Sequence, residues 1–138
     1  MHLFNQIKKY RITILVTIAI LYLSFAPPSS LPKVHLFQYA DKLIHVLMYS
    51  GLTMVLCYDF FRSEHQSDNR ETIAICGVYP VLLGGIVELL QATLFAPRTA
   101  EWSDWFSDIV GVLLGWLIYH FIIKKILLRI NERRQPPV

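Results

Sequence analysis

The chain has 138 residues, of which 54% are hydrophobic and 17% are charged, and its formal net charge is +3. A soluble domain is typically about 25% charged, so this composition leans towards a membrane protein. It excludes a disordered chain, a collagen-like chain and a disulfide-dense scaffold. The length is that of a single domain.

Four stretches of the sequence are nearly free of charge, and each predicts a transmembrane helix. These stretches are 12–26, 43–61, 72–95 and 105–123, and among the 13 basic and 10 acidic residues of the chain only three fall inside them, namely Asp59, Glu88 and Asp108. Their apolar residues run continuously, unlike the alternation of strands, and they cover all faces of a helix, unlike the stripe of a soluble bundle. We therefore predict an all-α membrane protein, a bundle of four transmembrane helices forming one domain, with spans at about 10–26, 43–61, 72–95 and 105–123.

The distribution of Lys and Arg predicts the orientation of these spans. Four spans place both termini and the loop 62–71 on one side, and ten of the 13 basic residues lie there. Because cytoplasmic loops carry the excess of Lys and Arg, both termini are predicted to be cytoplasmic, with residues 124–138 as a basic cytoplasmic tail. The positive charge thus belongs to a membrane edge, and no nucleic-acid partner is expected.

The second predicted span begins with polar residues that share one helix face. Asp41, His45 and Tyr49 are spaced four residues apart, with Lys42 beside them. An acidic residue near a helix N-terminus is favoured by the helix dipole, and Asp41 is close enough along the helix to orient the His45 imidazole.

The third span carries Glu88 and Gln91 near its predicted outer end. An ionisable residue within a membrane span marks a functional site by default. The alternative is a salt bridge from Glu88 to Arg98 or Lys42.

The loop before the fourth span, and the start of that span, are also polar. Trp102 and Trp105 suit a membrane interface, and Ser103 or Asp104 could cap the helix. From there, Asp104, Asp108, Gly111 and Gly115 form one helical stripe, which is acidic at its outer end and small further in. The Gly-x-x-x-Gly spacing is a common device for close helix packing.

The predicted topology brings most of these polar residues to the outer face of the membrane. Asp59 and His120 fall near the opposite face and are expected to be interface residues. Cys57 and Cys76 are expected to be reduced and buried. One histidine among scattered acids is a weak set of metal ligands, so neither a metal nor another cofactor is predicted. The residues predicted to line a polar pocket are Asp41, Lys42, His45, Tyr49, Glu88, Gln91, Arg98, Trp102, Asp104 and Asp108.

These residues also carry a family resemblance. Asp41-Lys42-x-x-His45-x-x-x-Tyr49, then Glu88-x-x-Gln91, then Arg98 and Asp104 followed by Asp108 and Gly111, resembles the pattern of the VanZ-like family over about residues 27–120. Asp108 stands where the family usually has Asn. The resemblance implies a small integral protein of the bacterial cytoplasmic membrane, in a family whose namesake is associated with resistance to the glycopeptide teicoplanin.

Three functions stay open at this stage. The first is binding, without catalysis, of an outer-leaflet lipid, a lipid-linked cell-wall precursor or an amphipathic drug such as a glycopeptide. The second is a membrane-embedded enzyme acting on a lipid-linked substrate, with His45 and Glu88 as the acid–base pair and Asp41 orienting His45. The third is a structural subunit, alone or in an oligomer, whose polar residues fix helix packing.

Overall fold

The structure is a computed structural model that describes residues 7–26, 39–63, 69–94 and 101–134. These ranges are almost entirely helical and contain no β-strand, which confirms the all-α prediction. Helix α1 is Arg11–Phe25 and helix α2 is Ala40–Ser63. Helix α3 consists of Asn69–Ile73, a π-helical turn at Ala74–Val78 and Tyr79–Leu94, and helix α4 consists of Trp102–Ile118, a π-helical segment at Tyr119–Ile123 and Lys124–Arg134.

Three of the helices are long and apolar enough to cross a membrane. They are Ala40–Arg62, Arg70–Leu94 and Trp102–Ile130. Helix α1 is apolar but has 15 residues, shorter than the roughly 20 that a bilayer core requires. Helix α4 starts at Trp102, three residues before the predicted start of the fourth span at residue 105. It continues to Arg134, through most of the predicted basic tail.

The outward faces of the long helices are apolar. Leu82 and Leu89 on α3, and Leu113 and Leu117 on α4, are among many large hydrophobic side chains that stay exposed. Apolar surface of this extent is rare on soluble monomers but is what a lipid environment favours. The exposed faces therefore support a membrane location for the three long helices.

Successive helices run in alternating directions. Lys42 contacts Asp104 and His45 contacts Asp108, so α2 and α4 are parallel. Helix α3 is antiparallel to α4, since Glu88 lies near Glu101 whereas the earlier Val81 carbonyl accepts a hydrogen bond from the later Trp105. Alternation is what consecutive membrane crossings require.

Glycines set the close contact between α2 and α4. A Cβ added at Gly111 would lie 2.5 Å from the carbonyl oxygen of Val46, and one added at Gly115 would clash with the carbonyl of Ser50. Small residues let two helix backbones approach in this way. The glycine stripe seen in the sequence is thus a packing surface, and it fixes α4 against the face of α2 that carries His45.

Helix α1 is tied to its neighbours by polar bonds near both of its ends. The Thr13 backbone N–H and hydroxyl donate to Asp59 Oδ2 at 3.0 and 2.9 Å, and the Gln91 amide donates to the Ser24 carbonyl at 2.7 Å. Asp59 is only 2% exposed. Asp59 is therefore buried between helices, and its carboxyl group satisfies a free N–H in the first turn of α1.

The end of the molecule that contains Asp59 also holds an apolar cluster with both cysteines. Cys57 and Cys76 are buried and free, and they pack with Leu56, Phe60 and Tyr119. This confirms the prediction that both are buried packing residues.

Candidate functional site

The opposite end of the helices holds a group of charged side chains. We call it the polar cluster and define it by its members: Asp41, Lys42 and His45 of α2, Glu88 of α3, and Glu101, Asp104 and Asp108 at and within the start of α4. It lies where α2 and α4 begin and α3 ends. The parallel α2–α4 contact and the antiparallel α3 bring these segments together.

Lys42 joins the outer part of the polar cluster. Its Nζ lies 2.7 Å from Asp104 Oδ1, 3.1 Å from Asp41 Oδ2 and 3.2 Å from Glu101 Oε2. Asp104 is the least exposed of these three carboxylates. The single ammonium group thus holds α2 to the start of α4 and offsets the repulsion among three acids.

His45 lies further in, where α2, α3 and α4 meet. Its Nδ1 is 2.9 Å from Asp108 Oδ1, and its Nε2 is 3.8 Å from Asp104 Oδ2. The suggestion that Asp41 orients His45 is wrong, because Asp41 pairs with Lys42 and Asp108 holds the imidazole. Asp108, one of the three charged residues within the predicted spans, is therefore the partner of the histidine.

Asp108 can occupy this place because α3 has a glycine opposite it. Asp108 is 1% exposed. A Cβ added at Gly84 would lie 2.6 Å from Asp108 Oδ2. The neighbouring Gly85 similarly leaves room for the indole of Trp105. The two adjacent glycines of α3 therefore shape the floor of the polar cluster.

Glu88 is buried and only half satisfied. It is 5% exposed, its Oε2 accepts the Glu101 backbone N–H at 3.3 Å, and its Oε1 has no hydrogen-bond partner among the described residues. The alternative of a salt bridge from Glu88 to Lys42 is not found, since Lys42 pairs with three other carboxylates. A buried oxygen without a partner is costly, which marks Glu88 as a place where a ligand can bind.

The polar cluster has a strong excess of acidic groups. It contains five carboxyl groups against one lysine and one histidine. It therefore offers many hydrogen-bond acceptors and few donors, and it attracts cations and groups rich in N–H or O–H.

Three of the predicted pocket residues have other surroundings. Tyr49 is buried in an apolar cluster with Leu52 and Val112, and its hydroxyl has no hydrogen-bond partner among the described residues. Gln91 binds α1 through the Ser24 carbonyl. Trp102 is 68% exposed at the rim, and its ring meets Trp105 edge-on at 6.0 Å.

Two further expectations concern the loop before α4. Glu101 occupies the N-cap of α4 without a side-chain cap bond, so the predicted capping by Ser103 or Asp104 is wrong. Arg98 lies outside the described residues.

Sequence reasoning missed two participants. Glu101 was not singled out, although an acid in the predicted loop before the fourth span could have been noted as a potential partner for Lys42. The bond between Thr13 and Asp59 was also missed, although the predicted topology puts both residues near the same membrane face.

Comparisons with known proteins gave no match, since no family model, no curated protein and no solved structure proved similar to the chain. The fold and the site therefore define the class of protein. Over the residues that the structure describes, it is an α-helical protein with three helices of membrane-spanning length and an acidic polar cluster at one end.

Replacing Lys42 by Met should destabilise the protein by about 1–2 kcal/mol, between the values for exposed and buried ion pairs. The change leaves three carboxylates facing one another without their shared cation. Thermal unfolding of the purified protein in detergent measures this loss. Added salt should stabilise the Lys42→Met variant relative to wild type, because salt screens the remaining repulsion. Lys42→Arg is the matched control, and equal melting of all three proteins would contradict the role given to Lys42.

Proposed function

We propose that this chain is a VanZ-like protein of the bacterial cytoplasmic membrane that binds the head group of an outer-leaflet lipid or a lipid-linked cell-wall precursor in its polar cluster. It crosses the membrane four times, with α1 as the first span, and both termini lie in the cytoplasm. The polar cluster then faces outward.

The buried, half-satisfied Glu88 is the observation that carries this proposal. Glu88 lies beside His45 and Asp104, within a group of side chains supplied by three helices, and its Oε1 has no hydrogen-bond partner among the described residues. Burying such groups in an apolar bundle costs free energy, and proteins keep them where they serve a ligand. A purely structural network would be expected to satisfy every member.

The arrangement suits a ligand with a polar head and an apolar body. The carboxylate oxygens accept hydrogen bonds from hydroxyl and amine groups of the head. Arg98, in the predicted outer loop, binds a phosphate or carboxylate of the same ligand. Trp102 is exposed beside the cluster, where an apolar chain or an amphipathic drug can lie against it.

The orientation is tested by labelling a cysteine at position 98. An Arg98→Cys variant in a Cys57→Ala, Cys76→Ala background is treated with a membrane-impermeant maleimide. Labelling of intact cells is expected, and labelling only after permeabilisation would contradict an outward-facing cluster. A cysteine introduced at Gln135, in the predicted cytoplasmic tail, should give the reverse result and serves as the control.

Substituting Glu88 by Gln should abolish ligand binding while leaving the amount of protein in the membrane nearly unchanged. His45→Gln and Arg98→Ala should weaken binding in the same way, whereas Glu71→Gln, at the other end of α3, should have no effect. The readouts are membrane abundance, lipids retained in native mass spectrometry, envelope-lipid composition and teicoplanin susceptibility of expressing cells. If the three variants lose abundance together with function, the structural-subunit alternative is favoured and the binding proposal fails.

A second candidate, a membrane-embedded enzyme, is favoured by one specific contact. The bond between His45 Nδ1 and Asp108 leaves the other ring nitrogen 3.8 Å from Asp104 Oδ2, and a carboxylate orients a catalytic imidazole in this way. In this candidate His45 is the general base and Glu88 the general acid. It requires a changed lipid or precursor species in cells expressing wild type but not His45→Gln; identical lipid profiles would exclude it.

A further inference from the structure

The inner part of the polar cluster has the form of a metal site. His45, Glu88 and Asp104 come from three different helices, and one potential ligand atom from each lies within 4.8 Å of the other two. Ligand atoms that each lie about 2.1 Å from one tetrahedral ion are about 3.4 Å apart, so the group would need to contract by up to roughly 1.4 Å. Small side-chain rotations provide a movement of that size.

Each of the three side chains is held through one atom and keeps another atom available. His45 is held at Nδ1 by Asp108 and leaves Nε2; Asp104 is held at Oδ1 by Lys42 and leaves Oδ2; Glu88 is held at Oε2 by the Glu101 N–H and leaves Oε1. Partners of this kind orient the ligands of metal centres, and a carboxylate behind a histidine is the commonest of them. The supporting contacts of a metal site are therefore already in place.

Glu88 gives an independent indication that a ligand belongs here. Only 5% of its surface is exposed, and its Oε1 has no hydrogen-bond partner among the described residues. A divalent cation would satisfy this oxygen. It would also reduce the excess of negative charge that three neighbouring acids create around one imidazole.

The outer part of the polar cluster provides an internal contrast. Asp41, Glu101 and Asp104 also lie close enough to share a cation, but the ammonium group of Lys42 already contacts all three. The inner group has two acids and one imidazole, and Lys42 reaches it only at Asp104 Oδ1, while His45 and Glu88 pair with other groups. Asp104 belongs to both groups. Its Oδ1 contacts Lys42 in the outer group, and its Oδ2 lies 3.8 Å from His45 Nε2 in the inner group.

We propose that His45, Glu88 and Asp104 form a binding site for one divalent transition-metal ion. A single imidazole with two carboxylates suits Zn²⁺ or Mn²⁺, and the absence of thiolates in this set disfavours soft ions such as Cu⁺. Three protein ligands leave a coordination position open. The occupant of the open position rests on the function proposed above. It is a phosphate or carboxylate oxygen of the lipid head group.

The test uses the full-length protein, purified in detergent and stripped with EDTA. Binding of one Zn²⁺ or Mn²⁺ per chain is expected by isothermal titration and by elemental analysis. His45→Gln, Glu88→Gln and Asp104→Asn should each lower the affinity at least about tenfold, and Asp108→Asn should lower it about 10–100-fold as a supporting partner. Asp41→Asn and Glu101→Gln, which change the outer group only, should bind the metal as wild type does. No binding, or equal binding by wild type and Glu88→Gln, would overturn the proposal.

A spectroscopic measurement covers the case in which a variant fails to fold. Co²⁺ added to wild type should give visible bands typical of nitrogen and oxygen ligands. Intense sulfur charge-transfer bands would assign the ion to Cys57 and Cys76 and would overturn the site. Because these measurements need no lipid, their failure leaves the lipid-binding proposal standing.

The link to the head group is measured separately, as retention of phosphatidylglycerol in native mass spectrometry before and after EDTA. Loss of retention on metal removal supports the shared site. Unchanged retention would overturn the link.

Discussion

Replacing Gly111 and Gly115 by alanine should separate α2 from α4 and prevent the chain from reaching its native fold. Each added Cβ meets a main-chain carbonyl, of Val46 or of Ser50, and a backbone cannot rotate away as a side chain can. Overpacking of this kind costs about 1–3 kcal/mol per site. The two changes fall on one interface and are one turn apart, so the double variant should lose more than either single variant, up to about 6 kcal/mol.

The chain supplies matched controls for this prediction. Gly51 and Gly77 also lie in helices, but a Cβ added at either has nothing within 4 Å. Gly51→Ala and Gly77→Ala should therefore stabilise the protein slightly, by about 0.5–1 kcal/mol, because alanine favours a helix. Alanine is thus expected to lower stability at Gly111 and Gly115 and to raise it at Gly51 and Gly77.

Unfolding can be followed with a fluorogenic maleimide in detergent. Cys57 and Cys76 are the only cysteines in the sequence, and both are buried, so they react when the helices separate. A Gly111→Ala, Gly115→Ala protein that melts together with the Gly51→Ala control would show that α2 and α4 do not touch as described.

Substituting Asp59 by alanine should detach the N-terminal end of α1. The change removes the acceptor of two hydrogen bonds from Thr13 and leaves a buried N–H and a buried hydroxyl without it. Orphaned buried donors cost about 1–3 kcal/mol each, so a loss of about 2–4 kcal/mol is expected. Asp59→Asn keeps one oxygen and should lose about half as much.

Thr13→Val and Glu71→Ala complete this experiment. Valine removes the hydroxyl but keeps the backbone N–H, so Thr13→Val should have the smaller effect, and the double variant with Asp59→Ala should show strong coupling. Glu71 is an exposed acid at the predicted cytoplasmic end, and its loss should be nearly neutral. Additive effects of Thr13→Val and Asp59→Ala would contradict the bond between the two residues.

Continuous apolar runs were sufficient to predict the helices. Lipid-facing and buried residues are both apolar in such a chain. The apolar pattern therefore predicts the length of each helix well, but it does not show which face of the helix packs against other helices. This is why the all-α class was predictable, and why the burial of Asp59 against α1 was not. The stripe of Asp104, Asp108, Gly111 and Gly115 was the exception, because small and acidic residues stand out on an apolar helix.

The candidate site was predictable as a group but not as a set of pairs. Helical spacing placed Asp41 and His45 on one face and suggested that they interact. Spacing within one helix cannot show that Asp108 approaches more closely, because that contact depends on Gly84 in a third helix. Gln91 was placed at the correct end of α3, and its partner, the Ser24 carbonyl, lies on a helix whose packing the sequence pattern leaves undetermined.

The parallel contact between α2 and α4 has a consequence for biosynthesis. The two helices are separated in the chain by all of α3, so α2 is synthesised and inserted well before its principal partner exists. During that interval Lys42 and His45 lack Asp104 and Asp108, their closest partners in the finished protein. The contact between α2 and α4 is therefore completed only when α4 arrives, and a nascent chain stopped before Trp102 would still carry these charged groups at an open lateral face.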